Sequence, residues 1–131
     1  MNWQAHQGDV FIERIDHIPS GVKPAKLDQH GRAVLAYGEA TGHLHAIHGE
    51  KIKFFYADGR GAGVGDRAVL SQQEAKLLFL ELPKGGDLYH ETGPGQLTTD
   101  HAPIQALEPG SYKVTRQTEA PWQGMPRIVQ D

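Results

Sequence analysis

Two histidines separated by one residue are the first feature of this chain that suggests chemistry. They are His43 and His45, within the stretch GEATGHLHAIHGE at residues 38–50. In a β-strand, residues two apart point to the same side at a separation of about 7 Å. Two imidazoles at that spacing can lean together and place nitrogens about 2.0–2.1 Å from one divalent ion. The spacing therefore predicts half of a metal site.

A third ligand must come from elsewhere, and His101 in TTDHAPI is the best distant candidate because Pro103 restricts the backbone beside it. Asp100 can act as a ligand or orient an imidazole. Glu39 lies four residues before His43 and is the candidate general base if the metal activates water. Our prediction is a site of His43, His45 and His101, with Glu39 as its catalytic residue.

The chain has no cysteine, so any metal ligands must be nitrogen or oxygen. Three imidazoles and a water suit zinc, which is the favoured ion. An added carboxylate suits iron, manganese or nickel. Glu50, His90 and Asp100 are further possible ligands that spacing alone does not decide.

A competing interpretation places the histidines on a solvated strand face, with no metal. His48 is expected to face away from the pair, and His90, in the turn-rich DLYHETG, is expected at the surface. On that interpretation the protein is a non-enzymatic interaction module. A pH-sensitive assembly unit is another possibility, since the eight histidines titrate near neutrality.

Composition excludes several protein classes. The 131 residues carry a formal charge of −3, and the 13 lysines and arginines are scattered, so we expect no nucleic-acid partner. No apolar run approaches the roughly 20 residues that span a bilayer. No secretory leader is evident either, so a cytoplasmic protein without a membrane partner is expected.

Sixteen glycines and eight prolines indicate many turns and short strands. Alternating or continuous apolar runs predict strands at 8–16, 31–40, 43–49, 51–59 and 75–83, and another after the Pro109-Gly110 turn. A helix starting at Ser71 is the weaker alternative for the fifth run. We expect one all-β domain over 1–131, a small barrel or sandwich, with a loose tail at 118–131. A mobile glycine-rich loop at 60–67 and self-association through edge strands are also expected.

Two family resemblances bear on the histidines. Gly38, His43, His45 and Glu50 resemble the first cupin motif in their order, and that resemblance implies a cupin-like form of the expected fold. No second cupin motif follows. More extensively, the chain resembles small bacterial and phage-encoded proteins of unassigned function. That likeness rests on QGDV at 7–10, GE-x-TGH-x-H at 38–45, and the His-x-Pro-Ile and PG-x-Y-x-V-x-RQ segments at 101–104 and 109–117. Those proteins usually have a further histidine where this chain has Thr98. The resemblance implies that His43, His45 and His101 act as a set, and implies no activity.

Overall fold

The structure is a computed structural model that describes residues 3–37, 42–57, 72, 75 and 77–116. This part of the chain consists of β-strands and connections, with no helix. Consistent with this, no helix in the described part is long and apolar enough to cross a membrane. The strands are β1 (Gln4–Gln7), β2 (Val10–Ile15), β3 (Lys23–Pro24), β4 (Ala33–Tyr37), β5 (Leu44–His48), β6 (Lys53–Ala57), β7 (Leu77–Leu82), β8 (Gly86–Gly93), β9 (Gln96–Leu97), β10 (Ile104–Leu107) and β11 (Gly110–Arg116).

The strands form two antiparallel sheets that pack together as a sandwich. One sheet has the order β1-β2-β11-β7-β6-β3, and the other has β10-β8-β5-β4 with β9 paired to β8. The prediction of an all-β fold is confirmed, and of its two alternatives the sandwich is correct. The sheets do not close into a barrel.

The core lies between the sheets and explains the apolar runs in the sequence. Val114 and Tyr112 on β11 and Ile12 on β2 face Ile47 on β5 and Leu88 on β8 in one buried cluster. The run at 75–83 contains β7, which lies between β11 and β6, so the strand prediction is confirmed there. Tyr112 is a core residue whose hydroxyl donates to the Glu108 carbonyl at 2.5 Å.

Five strands were not predicted from the sequence, namely β1, β3, β8, β9 and β10, and two of them, β8 and β10, matter most for the histidines. DLYHETG was expected to be turn-rich surface but belongs to the eight-residue β8, and the segment at 104–107, expected to be a connection, is β10. The predicted loop at 60–67 and the predicted tail at 118–131 lie outside the described residues.

A two-residue hairpin turn joins β1 to β2 at Gly8 and Asp9, because Gln7 pairs with Val10. Gly8 has φ +61° and Asp9 does not have a positive φ. This is the pattern of a type II′ turn, which takes glycine at its first central position. The turn lies against the imidazoles of His45 and His101.

The outer face of the second sheet carries a buried ionic cluster. Glu91 on β8 is fully buried and accepts hydrogen bonds from Arg32 Nη1 at 2.7 Å and from the Gly95 backbone N–H at 3.0 Å. His48 Nε2 lies 2.7 Å from the same carboxylate, and Arg32 also pairs with Asp28. Successive residues of β8 point to opposite faces, so this cluster lies behind the strand that carries His90.

Candidate metal site

Four histidines from three segments meet at one end of the sandwich. His43 immediately precedes β5, His45 lies within it, His90 lies on β8 and His101 precedes β10. The pairing of β5 with β8 places His45 directly opposite His90, so both side chains share the inner face of their sheet. The three predicted ligands and His90 are therefore neighbours.

His90 is the centre of this cluster. Its ring centroid lies 5.4 Å from that of His43, 4.6 Å from that of His45 and 4.5 Å from that of His101. The rings of His45 and His101 lie 5.7 Å apart. His45 and His90 are buried, with 2% and 3% of their surfaces exposed, whereas His43 and His101 are half-buried. These four histidines, called the histidine pocket below, thus comprise two buried rings and two that are more accessible to solvent.

Three of the residues in the pocket form a compact donor set. One ligand atom each from His43, His90 and Asp100 lies within 4.8 Å of the other two. Two ligands that each sit about 2.1 Å from one ion are at most about 4.2 Å apart. The three donors therefore need only a small inward movement to share an ion. Asp100 is exposed, so its carboxylate is on the side where such a movement is easiest.

Hydrogen bonds fix the orientation of the buried rings. His90 Nδ1 shares a hydrogen bond with the Thr98 hydroxyl at 2.5 Å, and Asp100 Oδ1 lies 3.5 Å from the same nitrogen. His45 Nδ1 pairs with Gln7 Oε1 at 2.8 Å, and His45 Nε2 lies 3.9 Å from Asp9 Oδ1.

The electrostatics keep the buried imidazoles neutral. Burial, followed by the charges of His90 and His101, lowers the pKa of His45 to about 3, against the opposing influence of Asp100. Burial, followed by the neighbouring His101, also lowers the pKa of His90. A hydrogen bond from Thr98 lowers the pKa of Asp100. Near neutral pH His45 and His90 are therefore neutral and lie near the carboxylate of Asp100, and these are the metal-binding forms of both groups.

Three expectations about individual residues have clear outcomes. The surface placement expected for His90 is wrong, because β8 continues through it and its ring is enclosed by three others. His48 does face away from the pair, towards Glu91. Glu50 follows β5 at the end remote from His43 and is exposed, so it is not near the cluster. Glu39 lies outside the described residues.

His90 carries a weak signal in the sequence. Leu88 and His90 have the same parity on β8, and Leu88 is an obvious core residue. A strand through Leu88 would therefore direct His90 inward. The glycines, proline and polar residues on either side obscured that strand.

The comparisons with known proteins give a family and no activity. No match was found among curated proteins or among solved structures. A family described as a domain of unknown function, DUF8820, matches residues 6–117, a range that includes every residue of the pocket. This confirms the expectation of a family of unassigned function, and the chain belongs to the DUF8820 family.

Proposed function

We propose that this protein binds a divalent metal ion in the histidine pocket. The observation that carries the proposal is the convergence of His43, His90 and Asp100, whose ligand atoms lie within 4.8 Å of one another. His43 lies just before β5, His90 on β8 and Asp100 in the segment before β10, so an ion would connect separate parts of one sheet. His45 and His101, predicted as ligands with His43, line the same pocket and are proposed as further ligands.

The low pKa values of the buried imidazoles support this proposal. An imidazole binds a metal only through an unprotonated nitrogen. Burial already holds His45 and His90 in the neutral form, so little proton release is needed at neutral pH. Two imidazoles with one carboxylate occur both in zinc sites and in non-haem iron(II) sites. Zinc is our first choice, and iron, manganese and nickel are alternatives.

A metal with an open coordination position can also activate water or polarise a carbonyl group. The exposed position of Asp100 and the half-buried His43 would leave such a position on the solvent side. Glu39, four residues before His43 in the chain, remains the proposed general base for this chemistry.

The test is zinc binding by isothermal titration calorimetry at pH 7.5, on protein purified without an affinity tag. Replacing His43, His90 or His101 with alanine should in each case weaken zinc binding at least about tenfold, because each side chain is a proposed ligand or contacts one. His30→Ala is the matched control, since His30 is exposed and lies in a turn before β4. His48→Ala should bind zinc normally but lose stability, because it leaves Glu91 with fewer hydrogen-bond partners.

The competing function is an interaction module in which the histidines form a polar pocket without metal. It predicts no heat of zinc binding in the parent protein and unchanged melting temperature with a chelator. That result would contradict the metal proposal.

A further inference from the structure

Gln7 contacts several parts of the histidine pocket, although no motif in the sequence pointed to a role for it there. It is the last residue of β1 and is buried, with 2% of its surface exposed. Its amide nitrogen donates to the Leu88 carbonyl at 3.1 Å and to the Ala102 carbonyl at 3.0 Å. Its amide oxygen lies 2.8 Å from His45 Nδ1. One side chain thus joins β8, β5 and the segment that carries His101.

The orientation of the Gln7 amide follows from its partners. Both carbonyl oxygens are acceptors only, so the NH₂ group must face them, and the amide oxygen must face His45. An amide oxygen accepts and cannot donate. His45 Nδ1 must therefore carry the proton of that hydrogen bond.

A neutral imidazole with its proton on Nδ1 has its lone pair on Nε2. In His45 that nitrogen lies 3.9 Å from Asp9 Oδ1, beyond hydrogen-bonding distance, and no hydrogen bond joins it to another residue of the described ranges. The His45 ring itself lies in the histidine cluster, with centroids 4.6 Å from that of His90 and 5.7 Å from that of His101.

From these contacts we infer that Gln7 is a positioning residue: it holds His45 in the Nδ1–H tautomer and so directs the Nε2 lone pair at the metal. The inference rests on the proposed function and adds the ligating atom of His45 and the group that selects it. By holding the Ala102 carbonyl, Gln7 also fixes the backbone beside His101. A hydrogen-bond partner of this kind typically contributes a factor of 10–100 to metal affinity.

The first test needs no variant and no metal. Nitrogen-15 NMR of the metal-free protein at pH 7.5 distinguishes the two neutral tautomers of His45. We expect the Nδ1–H form, although the Nε2–H form is the usual one for free histidine. Finding Nε2–H on His45 would overturn the inference.

The second test compares Gln7→Met with Gln4→Met, a control on the same strand at an exposed position. Gln7→Met keeps the side-chain length but removes the acceptor and both donors. It should shift His45 towards the Nε2–H tautomer and weaken zinc binding by about 10–100-fold, whereas Gln4→Met should change neither. Affinity within twofold of the parent in a folded Gln7→Met protein would contradict the inference.

The two proposals can fail separately. If the parent protein binds no metal, the proposed function is wrong, and the tautomer of His45 alone then decides whether Gln7 orients it. If the parent binds zinc but His45 carries its proton on Nε2, the function stands and the role of Gln7 is rejected. A folded Gln7→Glu protein adds a check, because a carboxylate can accept from His45 but cannot donate to Leu88 or Ala102. It should keep the Nδ1–H tautomer.

Discussion

Lowering the pH should destabilise the metal-free protein well before its carboxylates titrate, and His45 is the main cause. The pKa of His45 is about 3 in the folded protein against an ordinary value of 6.5 for histidine. The unfolded chain therefore binds a proton between these pH values that the folded chain does not. The contribution of neutral His45 to the unfolding free energy is fully present above pH 6.5. It is lost as the pH falls below that value, by up to about 1.4 kcal/mol for each pH unit.

From pH 7.5 to pH 5 the loss attributable to His45 is about 2 kcal/mol of unfolding free energy. His90 acts in the same direction, because its pKa is also lowered by burial and by His101. Asp100, the carboxylate that opposes the shift, is itself ionised over this pH range because its pKa lies below 3.8.

The assay is urea unfolding followed by tryptophan fluorescence, with chelator present, at pH values from 7.5 to 5. The matched variant is His45→Gln, which keeps a polar side chain of similar reach and cannot titrate. Between pH 7.5 and pH 5 the variant should lose about 2 kcal/mol less unfolding free energy than the parent loses. An equal pH dependence in parent and variant would refute the assignment of a buried neutral imidazole, and so would a parent protein that is more stable at pH 5 than at pH 7.5.

Three further predictions address the surroundings of the pocket. Arg32→Met should lower the unfolding free energy by about 3–5 kcal/mol in urea, because it leaves the buried Glu91 carboxylate without its cation; a loss below 1 kcal/mol would mean that the pair is solvated. Gly8→Ala and Gly21→Ala should each cost about 1–2 kcal/mol, since both glycines have positive φ. Only Gly8→Ala should also weaken zinc binding, because its new Cβ would lie 3.2 Å from the rings of His45 and His101, whereas at Gly21 there is open space. Self-association through the edge strands is expected to give a mass above that of the monomer by light scattering at micromolar concentration, and a monomeric mass would exclude it.

The sequence was most informative where local spacing decides the outcome. Strand parity alone placed His43 and His45 on one side, and the structure brings His101 to the same place from 56 positions further along the chain. It also separated His48 from the pair, because a one-residue offset reverses the side of a strand. These inferences needed no knowledge of which strands are neighbours.

The sequence was least informative where a long-range pairing decides the outcome. His90 enters the pocket because β8 pairs with β5 in the register that places it opposite His45. The flanking Gly85, Gly86 and the Gly93-Pro94-Gly95 turn gave that stretch the composition of a loop. Barrel and sandwich also share the same strand pattern, so the choice between them depended on the order of strands in each sheet.

Gln7 illustrates a contact that composition cannot reveal. A glutamine at the end of a short strand has no unusual neighbours in the sequence, and its role depends on three partners at 38, 81 and 95 positions away. The Gln7 amide offers one acceptor and two donors, and these match one imidazole N–H and two backbone carbonyls. Only the folded arrangement brings these groups together.

The most direct test of the metal site is elemental analysis of untagged protein, for the parent and for His90→Ala purified in parallel. His90 is chosen because its ring touches those of the other three histidines and belongs to the compact donor set. The metal proposal predicts near-stoichiometric metal, zinc first, in the parent and little in the variant. A parent protein that contains no metal and takes up none from zinc in solution at pH 7.5 would contradict it.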